Sequence, residues 1–337
     1  MKEPAHIIVV GASAGGLKAI AALLTAIQDV EDAAIFIVLH VAKSSSGSIL
    51  TNLLQKKTKL NCNLAMDGQR IEPGSVYVAR PDYHLIIKPG YIQLINGPRE
   101  NRWRPSIDVL FRSAAVAYNS RVTGIILTGL LDDGTAGMVA IKRCGGTCIV
   151  QEPDEAEFQD MPSNVLQRVD VDYRVPITDI GYILNDMFSK SEKPSVKVPQ
   201  DLLLEAGMTE NMKSQINDLE KIGTHSNYTC PECGGGLWSI DNDPIKRYRC
   251  FTGHVFTQGL LLEQQSEHVE ESLWASIRMM EEKRDLLLTT AHNYQLIGNE
   301  AMSNNKRTEA DIIESHISQI KGLIQSLKEN YNEKELN

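Results

Sequence analysis

No apolar run in this 337-residue chain approaches the roughly 20 residues that a bilayer-spanning helix needs. No secretory leader is expected either. Met1-Lys2-Glu3-Pro4 runs straight into a strand-like stretch with no leader core, so the expected location is the cytoplasm. Positive charge is in deficit: 34 Lys and Arg against 43 Asp and Glu leave a formal net charge of -9. That argues against a nucleic-acid partner in bulk and leaves room only for a local basic patch. Cysteine is scarce, six in all, and in a reducing compartment these are not expected to pair as disulfides. Three of them, Cys230, Cys233 and Cys250, cluster late in the chain, which points to a metal. Internal repeats are absent. What is present, 42% hydrophobic and 23% charged residues, fits a soluble globular protein long enough for two domains or more.

Residues 6 to about 190 alternate short apolar runs with helical patterns. "HIIVV", "IFIVL", "GIILT" and "TCIVQ" are apolar on both alternating faces, as in a parallel sheet covered by helices on both sides. The expected fold class is therefore α/β, a doubly wound and mostly parallel sheet. The runs 76–79, 84–88 and 91–95, separated by Pro81-Asp82 and Pro89-Gly90, read as an antiparallel excursion. Residues 104–118 read as a helix with Pro105 in its first turn. The domain expectation is a catalytic domain over 1–190, a linker over 191–225 with a short helix near 212–221, a zinc-ribbon-like segment over 226–257, and a helical hairpin over 258–330. In the hairpin, Ile313, Ile317, Ile320, Ile324 and Leu327 recur at spacings of four and three. Leu273, Ile277, Met280, Leu287, Ala291 and Tyr294 keep the same grid, with Arg284 breaking it, and "SNNKRT" at 303–308 is the expected interruption. A homodimer through these helices is one role open to them.

Three readings compete for Gly11-Ala12-Ser13-Ala14-Gly15-Gly16. A dinucleotide turn wants G-x-G-x-x-G, and serine stands at the second glycine; the acidic Glu31 or Asp32 lies before the second strand instead of at its end. A plain strand-to-helix turn needs glycines in any α/β protein. A nucleophile elbow, G-x-S-x-G between strand and helix, places a serine hydroxyl at the sheet edge, where the helix N-terminus favours developing negative charge. The elbow requires a base and a carboxylate at the same edge. His40 directly follows "IFIVL", and Asp132 and Asp133 follow "GIILTGLL"; both are strand C-terminal ends, where open parallel sheets carry their sites.

At these residues the chain resembles the bacterial chemotaxis receptor methylesterases, the CheB-type catalytic domains. The matching stretches are "VVGASAGG", "VLHVAKSSSGS", "PGSVYVARPDYHL", "RPSIDVLFRSAA", "ILTGLLDDGTAGM" and "QEPDEAEFQDMPSNV", in family order over about 6 to 190. The resemblance implies hydrolysis of glutamyl methyl esters on a methylated chemoreceptor-like protein, with glutamine deamidation as a related activity. It makes Ser13 the nucleophile, His40 the general base, Asp133 the orienting carboxylate and the Leu130 backbone N–H an oxyanion donor; Asp132 is the rival for the carboxylate role. The family's usual N-terminal receiver domain has no counterpart ahead of residue 6, so the expectation is a stand-alone catalytic domain. No cofactor is expected for catalysis. The rival reading is a non-catalytic interaction module built on the late segments.

Cys230, Cys233, Cys250 and His254 follow C-x2-C-x16-C-x3-H. Three thiolates and an imidazole suit one tetrahedral, closed, structural Zn²⁺; His225 is a substitute ligand. Lys246, Arg247 and Arg249 beside Tyr248 and Trp238 read as a solvated face of the ribbon. Arg102 and Arg104 have two open readings, steering of an acidic receptor segment or a plain surface role. His84 is expected in the antiparallel excursion, His268, His292 and His316 on helices, and Cys144 and Cys148 as buried thiols.

Overall fold

The computed structural model describes residues 3–27, 32–43, 46–188, 194–241 and 244–335, with side chains described only up to residue 327 in the last helix. Met1, Lys2, Glu31, Ser44, Ser45 and the start of the expected linker lie outside them. The chain divides into two compact units, residues 1–260 and 261–337.

The first unit is built on a seven-stranded sheet. In chain order its strands are β1 (His6–Ala12), β2 (Ala33–Leu39), β3 (Asn61–Leu64), β4 (Ser75–Val78), then β7 (Val122–Ile126), β8 (Thr147–Gln151) and β9 (Tyr173–Val175). Between them β5 (His84–Lys88) and β6 (Tyr91–Ile95) form a separate antiparallel hairpin. The sheet order is β3-β4-β2-β1-β7-β8-β9, with every pair parallel. Residues 76–79 thus belong to the parallel sheet, not to the antiparallel excursion. The order reverses direction at β1, which has β2 on one side and β7 on the other. In open α/β sheets that switch point opens a crevice beyond the strand C-terminal ends.

Helices cover both faces. α1 (Gly16–Ala26), α2 (Gly47–Gln55), α3 (Ile107–Tyr118), α4 (Thr135–Arg143), α5 (Asp160–Arg168) and α6 (Ile177–Phe188) follow in order. Because strand side chains alternate, Ile7, Val9, Phe36 and Val38 pack with α3 and α4 on one face. Ile8, Val10, Ile35 and Ile37 pack with Ile20, Leu23 and Ile180 on the other. Helix α3 starts two residues after Pro105, behind Ser106 as N-cap, so the proline lies outside the first turn.

The stretch expected as a linker carries two helices, α7 (Gln200–Glu210) and α8 (Ile216–Ile222). Leu202, Glu205, Met208 and Thr209 of α7 are buried. A four-stranded antiparallel sheet follows, β10 (Gly223–Thr229), β11 (Gly236–Ile240), β12 (Arg247–Cys250) and β13 (Val255–Thr257), paired in that order.

The long helices are α9 (Gln258–Leu296) and α10 (Glu300–Glu335). Within the second unit, Ile277, Ile317 and Ile324 form the seam, and Lys321 pairs with Glu281 at 3.0 Å. Arg284, which breaks the apolar grid, pairs with Glu314 across the hairpin. The interruption is at residues 297–299, and "SNNKRT" is helical. Gly298 takes φ 74°, the Asn299 N–H returns to Tyr294 O at 2.9 Å, and Asn299 Oδ1 then caps α10 through Met302 N–H at 3.2 Å.

Candidate active site

Ser13 and His40 each stand one residue past the end of neighbouring strands. Ala12 and Leu39 are register partners, and the His40 N–H donates to Ala12 O at 3.1 Å. The Ser13 N–H donates to Thr128 O at 3.0 Å, anchoring the turn to the end of β7 as well. Gly15, at φ 72°, turns the chain into α1. On the other side, a Cβ at Gly129 would stand 2.0 Å from Met161 Sδ and 2.8 Å from Ser13 Cβ. Only glycine lets the 128–134 loop pass this close to the serine.

His40 has a fully buried side chain, and its Nε2 lies 2.9 Å from Asp133 Oδ2. Its Nδ1 is buried without a hydrogen-bond partner. Asp133 also accepts from Ser106 Oγ at 2.9 Å, Ile107 N–H at 2.8 Å, Asp108 N–H at 3.2 Å and Asn101 Nδ2 at 3.2 Å. It therefore sits on the N-terminus of α3, where free N–H groups and the helix dipole favour an anion. Burial alone would push its pKa up. The His40 hydrogen bond and charge, with the bonds from Ile107 and Asn101, outweigh burial and hold it below the ordinary value.

The structure separates the two aspartates. Asp132 makes no bond to His40; its carboxyl is hydrogen-bonded by Thr257 of β13, and burial raises its pKa. Ser13 Oγ makes no hydrogen bond to His40 either, although the strand ends put the two side by side. The Leu130 N–H has no acceptor among the described residues, while both backbone groups of Gly129 are engaged, by Phe158 O and Met161 N–H at 3.0 Å each. Leu131 holds φ 65° and is tied down by Asn164 Nδ2 on its carbonyl at 2.9 Å.

Several site residues carry no sequence signal of their own. Trp103 stacks on His40, centroids 4.0 Å apart and planes 7° from parallel. Asp108 accepts from Gly134 N–H at 3.0 Å and Gly137 N–H at 2.6 Å, and Asn101 Nδ2 joins it to Asp133. His84, on β5, donates from Nε2 to Pro98 O at 2.8 Å and accepts at Nδ1 from Ser106 N–H at 3.3 Å. Burial lowers its pKa and keeps the ring neutral.

Behind the site lies a buried charge cluster. Arg112 bonds both oxygens of Glu100 at 2.9 and 2.8 Å and Glu205 at 3.2 Å. Arg247 bonds Glu205 at 2.7 and 3.1 Å, and Arg249 reaches Glu100 at 3.3 Å. Thr209 donates to Glu100 at 2.8 Å. Arg247 and Arg249 are only 2% and 1% exposed, so they are not a solvated basic face. Arg104 is committed too: it pairs with Asp82 at 2.8 and 3.1 Å and, through that bond, holds Asp82 down to about 2.

The four metal-ligand candidates come together in one place. The donor atoms of Cys230, Cys233, Cys250 and His254 all lie within 4.8 Å of one another. Cys233 and Cys250 sulfurs are 3.8 Å apart, and His254 Nδ1 is 3.7 Å from Cys230 Sγ and 3.6 Å from Cys250 Sγ. Zinc–sulfur and zinc–nitrogen bonds of about 2.3 and 2.0–2.1 Å on a tetrahedron put ligand atoms about 3.8 Å (S···S) and about 3.6 Å (S···N) apart. The residues fit such an ion. His225 stands apart from this group, edge-on to Trp238.

The sequence profile of CheB methylesterase matches residues 8–184. A protein of Leptospira interrogans, named only as a candidate protein-glutamate methylesterase/protein-glutamine glutaminase, is 38% identical over 175 residues, 52% of this chain and 90% of that one. The protein-glutamate methylesterase/protein-glutamine glutaminase of Borreliella burgdorferi is 35% identical over 52% of this chain and 46% of its own length. The crystal structure of the Thermotoga maritima CheB methylesterase catalytic domain superposes with a TM-score of 0.53 at 29% identity, covering 56% of this chain and 100% of that one. The match takes in the parallel sheet, the serine turn and the His40–Asp133 pair, and it stops short of the cysteine-bearing strands. Through that first half, this chain belongs to the CheB methylesterase family.

Proposed function

We propose that the protein is a serine carboxyl-ester hydrolase that removes methyl groups from glutamyl methyl esters of a chemoreceptor-like protein. The observation that carries this reading is the His40–Asp133 pair at 2.9 Å, with the opposite ring nitrogen buried and unpartnered at the strand end next to Ser13. The Ser13 hydroxyl is the partner that this reading assigns to Nδ1, and such contacts are often loose before substrate binds. His40 takes the Ser13 proton as Oγ attacks the ester carbonyl. The Leu130 N–H stabilises the oxyanion, aided by the N-terminus of α1. The carbonyl re-forms, methoxide leaves with the proton as methanol, and water attacks the acyl-serine in the same way to give glutamate. Asp133 fixes the tautomer and stabilises the imidazolium throughout. With a glutamine side chain the same steps release ammonia.

The cysteine group holds one Zn²⁺ through Cys230, Cys233, Cys250 and His254. All four positions of such a tetrahedron are protein ligands, so the ion supplies rigidity and no reaction step. Reduced thiols suit a cytoplasmic setting, and none of the described helices is long and apolar enough to cross a membrane. A homodimer through the long helices, on which Met279, Leu286 and Leu323 are exposed, is part of this proposal, and sedimentation measures it directly.

The test is methanol release from a methylated receptor fragment, wild type against Ser13→Ala. Equal rates reject the esterase in favour of a binding module.

A further inference from the structure

Residues 99–103 form a tight hairpin between the His40–Asp133 pair and the cysteine-bearing strands. Glu100 and Trp103 exchange backbone hydrogen bonds of 3.3 and 3.0 Å. At the tip, Asn101 and Arg102 both take left-handed backbone, φ 51° and 68°. Neither is glycine, and arginine has no preference for that region. Such a conformation persists where surrounding contacts over-determine it.

Those contacts come from two sides. On one side Asn101 Nδ2 bonds Asp133 and Asp108, and Trp103 lies flat on His40. On the other side the Asn101 N–H donates to Val255 O at 2.9 Å, the Val255 N–H donates to Arg99 O at 3.4 Å, and Arg249 reaches Glu100 at 3.3 Å. Val255 directly follows His254, and Arg249 directly precedes Cys250. Each of these three contacts is thus made by the chain neighbour of a metal-ligand candidate.

We propose that Asn101 and Trp103 are positioning residues for the ester chemistry, and that metal bound at Cys230, Cys233, Cys250 and His254 holds them in place, so that occupancy of that site sets turnover. The proposal rests on the esterase and zinc readings above. An ion bonded to both Cys250 and His254 fixes the start of β13 against the end of β12. Without it, Arg249 and Val255 keep only their cross-strand register and the Cys250 N–H bond to His254 O at 2.9 Å, and the less tightly held hairpin relaxes from its left-handed turn. Trp103 then no longer caps the imidazole, and Asn101 no longer fixes Asp133. A misplacement of about 1 Å in such a site costs on the order of 100-fold in rate.

The experiment uses the full chain, zinc-loaded and after chelation. Three quantities are read: kcat and KM for methyl-ester hydrolysis, labelling of Ser13 by an organophosphonate, and amide hydrogen exchange. Zinc removal is expected to lower kcat and labelling about 10- to 100-fold, with KM changed less than about twofold, and zinc restores both. The Asn101 and Trp103 amides lose protection while β1 and β2 keep theirs. With zinc bound, Trp103→Ala reproduces the fall in kcat, and Trp103→Phe, which keeps a stacking face, recovers most of it. Unchanged kcat and protection after chelation overturn the proposal, as does full kcat in Trp103→Ala, or loss of protection throughout β1 and β2. If the loaded wild type shows no ester hydrolysis, the esterase reading falls, and the exchange measurement still decides whether the metal orders the hairpin.

Discussion

Asp108 and Asp133 cap each other's helices. Asp133, just before α4, accepts the N–H groups of Ile107 and Asp108 at the start of α3. Asp108, in the first turn of α3, accepts those of Gly134 and Gly137 at the start of α4. Asn101 Nδ2 bonds both buried carboxyls, at 2.8 Å to Asp108 and 3.2 Å to Asp133. Burial, then the Asp133 charge, push the Asp108 pKa well above its ordinary value, while the His40 bond helps hold that of Asp133 below it. Asp108→Ala removes the α4 cap and is expected to cost about 2–3 kcal/mol in urea denaturation. Asp108→Asn keeps one acceptor oxygen for Gly134 and Gly137, so it is expected to cost about 1 kcal/mol less than the alanine variant. Equal losses in the two variants contradict the capping role of that oxygen.

The buried cluster makes stability acid-sensitive. Burial raises the pKa of Glu100 and Glu205, but the charges of Arg112, Arg247 and Arg249 outweigh it and depress both. Groups with depressed folded-state values stabilise above the unfolded value, about 4.5 for glutamate, and that stabilisation is lost as pH falls below it. Unfolding free energy is expected to drop steeply below about pH 4.5, and Glu205→Gln to flatten that slope while costing about 3–5 kcal/mol at pH 7. Denaturation curves across pH check both; an unchanged slope in the variant places the acid sensitivity elsewhere.

Purified protein should carry about one zinc per chain. Cys230→Ser or Cys250→Ser should lose it, and chelation should lower the melting temperature, because binding energy at such a site is folding energy. Metal analysis showing full zinc in both variants means the ligand set is wrong.

Gly129→Ala tests the close approach behind the serine. With a Cβ 2.0 Å from Met161 Sδ and 2.8 Å from Ser13 Cβ, the loop or the serine must move. Loss of kcat of about 100-fold is expected, with a smaller loss in Met161→Ala, which leaves the glycine in place. Wild-type kcat in Gly129→Ala shows that the serine turn tolerates displacement.

The sheet was legible wherever strands are apolar on both faces: β1, β2, β7 and β8 are buried throughout or nearly so. It was illegible at β3, "NCNL", an edge strand with no fully buried residue, whose pattern carries no signal. Turn residues flank β4 as they flank β5 and β6, so pattern alone could not assign it to the parallel sheet. "SNNKRT" is polar because all of it but the buried Ser303 lies toward solvent in the first turns of α10, and the real break is the left-handed Gly298. The strand-end positions of Ser13 and His40 were legible because each directly follows an apolar strand. That His40 bonds Asp133 and not Asp132 was not legible, since Asp133 is held by the α3 N-terminus, which comes from 25 residues earlier in the chain. Arg247 and Arg249 read as solvated because basic residues usually are; their partners Glu205 and Glu100 lie 42 and 149 residues away. The signal that might have flagged them is the regular alternation of Arg247, Tyr248, Arg249 and Cys250 within one short strand, which sends the two arginines to one face.

The most direct measurement is the rate of methanol release from a methylated receptor fragment by wild type, Ser13→Ala, His40→Ala and Asp133→Asn, each with zinc bound and folding confirmed. Losses of about 10⁴-fold or more are expected for each variant, and no further loss when Ser13→Ala and His40→Ala are combined. Near wild-type release by Ser13→Ala or His40→Ala would contradict the account.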